Sequence, residues 1–133
     1  MGADNLMESY EHAARRHFAD AEDLADRERL DNAGHLIGLA AECAVKHAVR
    51  RVTPNPRPIH FPKLTAEIRK YGGRDTVLYK VRRALTPPAL GSVFDDWSIK
   101  MRYDADGHVL DAQYRKWKEA AGRIMSAASI ERP

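Results

Sequence analysis

Residues 31–52 set the strongest constraint on the fold. The run Leu36-Ile37-Gly38-Leu39-Ala40-Ala41-Glu42-Cys43-Ala44-Val45-Lys46-His47-Ala48-Val49 is its centre. Wound as an α-helix, the segment is apolar around most of its circumference, so other helices have to surround it. At 100° per residue, Asp31, His35, Gly38, Glu42, Lys46 and Arg50 fall within about 120° of one another. A narrow polar seam therefore runs along an otherwise buried helix. It reads either as a solvent-facing strip with Glu42 and Lys46 paired one turn apart, or as a polar groove or dimer face. The composition of the seam favours the strip.

The remaining segments also have helical period, and none alternates as a strand would. Residues 5–27 place Leu6, Tyr10, Ala14, His17, Ala21 and Leu24 on one stripe, with Asp4 as N-cap. Thr53-Pro54-Asn55-Pro56-Arg57-Pro58 forces a stiff, extended connection. A short helix opens at His60-Phe61-Pro62-Lys63-Leu64 and stops at Gly72-Gly73. Asp75 caps another, running to about Leu85 with Val77, Leu78 and Val81 inward, and Thr86-Pro87-Pro88 ends it. Residues 90–106 are irregular around Val93, Phe94, Trp97 and Ile99, and 102–108 read as a loop. The last helix, about Val109 to Ser129, repeats Leu110, Tyr114, Trp117, Ala121, Ile124 and Ala128. The expectation is an all-α antiparallel bundle of four to five helices, with residues 1–133 as a single domain.

Composition narrows the setting. A chain of 133 residues with 44% hydrophobic and 31% charged side chains sits in the globular class. No stretch approaches the ~20 apolar residues of a membrane span, and no secretory leader is visible, so a cytoplasmic protein with no membrane partner is expected. Cys43 is the single cysteine, which excludes a disulfide framework and a cysteine-based zinc site. The net charge of +3 is unevenly spread. Residues 1–35 hold nine acids and four bases, residues 36–94 three acids and eleven bases, and residues 95–133 seven of each. The basic middle serves either an anionic partner or an internal match with the acidic first helix.

Several chemistries are absent from the sequence. There is no phosphate-cradling glycine loop, no paired-histidine zinc helix and no nucleophile elbow, so neither a metal nor a cofactor is expected. Cys43 lies among alanine and valine, where burial quenches a thiol. What remains is Arg102 and His108, with Asp104 and Asp106 between them. A guanidinium holds phosphate bidentately, and a histidine moves protons near neutral pH. Together they are the least that metal-free RNA cleavage requires. The plainer reading pairs Arg102 with Asp104 or Asp106 as loop structure.

Ala40-Ala41-Glu42-Cys43-Ala44-Val45-Lys46, then His60-Phe61-Pro62-Lys63-Leu64, then Arg102-Tyr103 resemble the HEPN superfamily of small helical bundles. The resemblance runs from about Ala33 to the end of the chain. It implies a homodimeric four-to-five-helix bundle. It also implies metal-independent endoribonuclease activity of toxin–antitoxin or antiviral type, through an Arg-x4-6-His motif assembled across the dimer. Arg102 and His108 fit that motif, and Tyr103, Asp104 and His35 are its expected neighbours. Glu42, with Lys46 beside it on the matched helix, either orients Arg102 or His108 or pairs with Lys46. Other members keep an arginine–tyrosine run without the histidine and act as nucleotide- or partner-binding bundles beside a nucleotidyltransferase.

Three readings therefore stand. The first is a dimeric ribonuclease acting through Arg102 and His108, with an antitoxin as partner. The second is a non-catalytic module that binds RNA, nucleotide or a protein such as a nucleotidyltransferase. The third is an accessory subunit whose acidic and basic segments are complementary packing faces.

Overall fold

The computed structural model describes residues 9–71, 74–87 and 92–133. Over these residues the chain is all-α. It comprises α1 (Tyr10–Asp26), α2 (Leu30–Val49), α3 (Lys63–Ile68), α4 (Thr76–Leu85), a 3-10 helix (Ile99–Tyr103) and α5 (Asp111–Ala127). No described helix is long and apolar enough to cross a membrane. Asp4 and Gly72-Gly73, expected as a helix cap and a helix stop, lie outside the described residues. Ser9 caps α1 instead, its hydroxyl accepting the His12 amide.

The hydrophobic pattern of α2 decides the architecture. Ile37, Ala40, Ala41, Ala44, Val45 and Ala48 are fully buried, and α2 packs chiefly on α1 and α5, then on α4 and the 3-10 helix. Alanines and glycines on α2 admit large aromatics from elsewhere. A β-carbon added at Gly38 would lie 2.0 Å from Trp97 Cε2, and one at Gly34 would lie 3.0 Å from Trp117 Cζ3. Trp97 Nε1 donates to the Gly34 carbonyl at 2.9 Å. Phe61 stacks on Phe94 with ring centroids 4.7 Å apart and meets Trp97 edge-on. The irregular segments before and after α3 and α4 are thereby drawn onto α2.

Asp75 caps α4 as expected, its carboxylate accepting the Leu78 amide while also pairing with Arg51. Leu78, Val81 and Leu85 form its inner face. The last helix departs from expectation at its start. Leu110 precedes the helix in extended conformation and is 67% exposed, while Val109 enters the core in its place.

Candidate functional site

The polar seam of α2 is neither a solvent strip nor an open groove, because the chain covers it with its own connections. Asp31 faces the 105–109 loop. Its two carboxylate oxygens accept the backbone amides of Gly107 at 2.7 Å and Val109 at 3.0 Å. One turn on, His35 stacks on Trp97 with ring planes 11° apart. Glu42, 2% exposed, accepts from His60 Nδ1 at 2.8 Å with Oε1 and from the Phe61 amide at 2.7 Å with Oε2. Lys46 is buried and lines a small cavity with Val49, Ile59, Leu64, Ile68 and Tyr71, together with Arg57 and Glu67. Arg50 lies over the Tyr10 ring at 4.4 Å.

This placement corrects the role expected of Glu42. Both of its oxygens are engaged by His60 and Phe61, so it orients His60 rather than Arg102 or His108. It makes no direct ion pair with Lys46 among the described residues. Lys46 acts on it through charge alone. Burial raises the Glu42 carboxyl above the ordinary glutamate value, and the bonds from His60 and Phe61 with the charges of His60 and Lys46 oppose that rise.

Arg102 and His108 share no hydrogen bond or ion pair among the described residues. The exposed Arg102 guanidinium stacks on Tyr103, 4.9 Å from the ring centroid, and Tyr103 is itself 77% exposed. Asp104 is exposed at the end of the 3-10 helix, its amide donating to the Met101 carbonyl. His108 is held by the loop. Its Nδ1 donates to the Ala105 carbonyl at 2.8 Å and lies 3.4 Å from Asp31 Oδ1, while Nε2 is buried. Nδ1 is thus occupied by the loop, and Nε2 lies buried without a hydrogen-bond partner among the described residues.

A different histidine group surrounds the seam. The His35 imidazole is held below the usual histidine value by burial first, then by the Arg102 charge, and then by His17 and His60. Burial and these charges favour the neutral form of His35, and an anion bound beside it would oppose that preference. His60 is 40% exposed and its Nδ1 is committed to Glu42, which leaves Nε2 for an outside partner. The sequence carried one signal for His60, a carboxylate inside an apolar helix that has to find a partner.

The neighbouring cleft suits a different chemistry. It has a volume of about 380 Å³ at the start of α2, and Glu28, Asp31 and Asp106 line it. Those carboxylates repel phosphate. Among the described residues, no three His, Cys, Asp or Glu side chains converge as a metal site. Comparison with protein-family models, curated proteins and solved structures finds no match to this chain.

Proposed function

We propose that the chain is an HEPN-like helical protein that binds RNA through its phosphates, at a site built from Arg102, His35 and the Glu42–His60 pair. The observation that carries this reading is the buried Glu42 carboxylate holding His60 Nδ1 at 2.8 Å while the imidazole stays 40% exposed beside the seam of α2. The excess of bases over acids in residues 36–94 supplies a matching long-range field. Binding of a labelled single-stranded RNA, followed by fluorescence anisotropy across a salt series in EDTA, tests it. Arg102→Ala should weaken binding and lower the salt slope by about 0.7, the value of one phosphate contact to a single strand. Affinity unchanged in that variant overturns the site.

The Glu42–His60 geometry favours a second reading, metal-independent endoribonuclease. A buried carboxylate on Nδ1 fixes the tautomer and orientation of an imidazole, whose Nε2 then exchanges a proton with a ribose 2′-hydroxyl or a leaving 5′-oxygen. Arg102 would stabilise the developing phosphorane charge. On this reading His60 takes the part first expected of His108. Cleavage in EDTA that leaves a 2′,3′-cyclic phosphate, lost in His60→Ala and kept in His108→Ala, supports it; binding without cleavage leaves the module reading. A homodimer is part of the same proposal, and light scattering of the purified chain measures it. Co-purification with a genomic neighbour tests for an antitoxin or nucleotidyltransferase partner.

A further inference from the structure

Helix α4 carries a second surface away from the residues discussed so far. Leu78, Val81 and Leu85 hold it to the core, and its other side presents Tyr79, Lys80 and Arg83 to solvent with Arg82 half-buried. Tyr79 is 51% exposed, one of four large apolar or aromatic side chains so exposed among the described residues. Arg82 and Arg83, three and four residues on, each place their guanidinium carbon 6.0 Å from the Tyr79 ring centroid. That distance is the outer limit of cation–π contact, so the two cations hold the ring only weakly and a stacking base can displace them. Arg102 and Arg50 differ, lying 4.9 Å and 4.4 Å over their own tyrosines.

The cations of this surface outnumber its acids. Residues 69–85 hold Arg69, Lys70, Arg74, Lys80, Arg82 and Arg83 against one acid, Asp75, which is taken by Arg51. Among the described residues, Lys70 pairs with Glu67, while Arg69, Arg74, Lys80, Arg82 and Arg83 make no ion pair. Helix α5 shows the ordinary arrangement. Its Arg115, Lys116, Lys118 and Arg123 each reach a carboxylate.

We infer that the outer face of α4 is a binding surface for single-stranded nucleic acid, with a base stacked on Tyr79 and the adjoining phosphates held by Arg82, Arg83 and Lys80. A flat, solvated ring with two loosely held guanidiniums within 6.0 Å matches the alternation of base and phosphate along a single strand. A duplex hides its base faces and could use only the charges. An acidic peptide likewise has no flat group for the ring. The inference shares its ligand class with the proposed function but rests on different residues, so each stands or falls by itself.

The test is anisotropy titration of the intact chain with single-stranded RNA, a duplex of equal length and poly-glutamate. Tyr79→Ala should weaken single-strand binding roughly 10-fold, while Tyr79→Phe retains it, because stacking needs the ring and not the hydroxyl. Arg82→Ala with Arg83→Ala should lower the salt slope by about 1.4, or 0.7 for each phosphate contact. Tyr79 points away from the core, so circular dichroism of its variants should match the parent. Equal affinity for single strand, duplex and poly-glutamate overturns the inference in favour of unspecific charge attraction, and so does an unchanged affinity in Tyr79→Ala. Loss in Arg102→Ala with none in the α4 variants overturns the α4 surface alone. The reverse pattern upholds the α4 surface and removes the Arg102 site.

Discussion

Glu42 and His60 are joined at 2.8 Å across the proline-rich connection, and the same carboxylate takes the next backbone amide, that of Phe61. One buried side chain thereby fixes both the orientation of an imidazole and the point where the chain re-enters the core. Phe61 follows directly onto Phe94 and Trp97.

Replacing Glu42 therefore has a graded outcome. Glu42→Gln keeps one acceptor oxygen and loses the other, at a cost of about 1 kcal/mol. Glu42→Ala strands the Phe61 amide in the core and opens a void, for a loss of about 3 kcal/mol. Urea unfolding of the two variants measures both, and a loss below about 1 kcal/mol in Glu42→Ala contradicts the anchoring role.

How much of this was legible in the sequence depends on the range of the interaction. The Asp75 cap and the inward Leu78 and Val81 follow from local pattern, as does the helix expected over residues 31–52, which the structure has as Leu30–Val49. Leu110 was misplaced because periodicity extends a stripe past the true helix start, where backbone direction changes. The Arg102–His108 spacing suggested a pair. Asp31, far away in sequence, sets the place of the loop by drawing the Gly107 and Val109 amides to the start of α2. His60 reads in the sequence as the opening of a short helix and as part of the family-like pattern, since no local rule couples it to Glu42. The seam itself was read correctly as a polar line on an apolar helix. Its coverage by residues 50–62 and 92–109 is tertiary and leaves no periodic trace.

Asp31 gives a pH-dependent prediction. The Gly107 amide first, then the Val109 amide and the His108 charge, hold its carboxyl below the ordinary aspartate value of 3.8. The folded state therefore binds the proton less readily than the unfolded state, and Asp31 stabilises the fold above that ordinary value. The contribution is lost as pH falls through the lowered folded value. Asp31→Asn should cost about 1 kcal/mol at neutral pH, a modest figure because the group is partly solvated. The difference from the parent should vanish in strong acid. Hydrogen exchange at Gly107 and Val109 should quicken in the variant; unchanged protection there contradicts the tether.

His35 works in the opposite half of the pH scale. Its folded value lies below the ordinary 6.5, through burial and then the Arg102, His17 and His60 charges. Its neutral form is compatible with the packed seam, so the full stability is present above 6.5 and falls as pH drops toward the lowered value. His17 is lowered as well, by burial and then by Arg16, so it adds to the same slope. His35→Asn should make stability less steep below pH 6.5 without flattening it. Chemical denaturation at several pH values gives the slope. An equal slope in parent and variant removes His35 from the account. Bound RNA should shift the same titration upward, because phosphate favours the charged imidazole.

Gly38 tests the packing that brings these groups together. The position is helical and fully enclosed, so alanine, the better helix former, would gain about 1 kcal/mol if space allowed. Space does not allow it, because the new methyl would fall 2.0 Å from Trp97 Cε2 and 2.1 Å from its Nε1. The indole cannot swing aside cheaply, since Nε1 is bonded to the Gly34 carbonyl and the ring is stacked on His35 and edge-on to Phe61. Gly38→Ala should therefore destabilise by about 3 kcal/mol and red-shift the tryptophan emission as the indole is displaced. Trp97→Phe alone should cost less, because it removes the indole ring edge and its N–H while keeping an aromatic ring. Combined with Gly38→Ala, it should recover part of the loss, since the smaller ring leaves room for the methyl. Strict additivity of the two changes would show that Gly38 and Trp97 are not in contact, because neighbouring side chains couple in a double-mutant cycle.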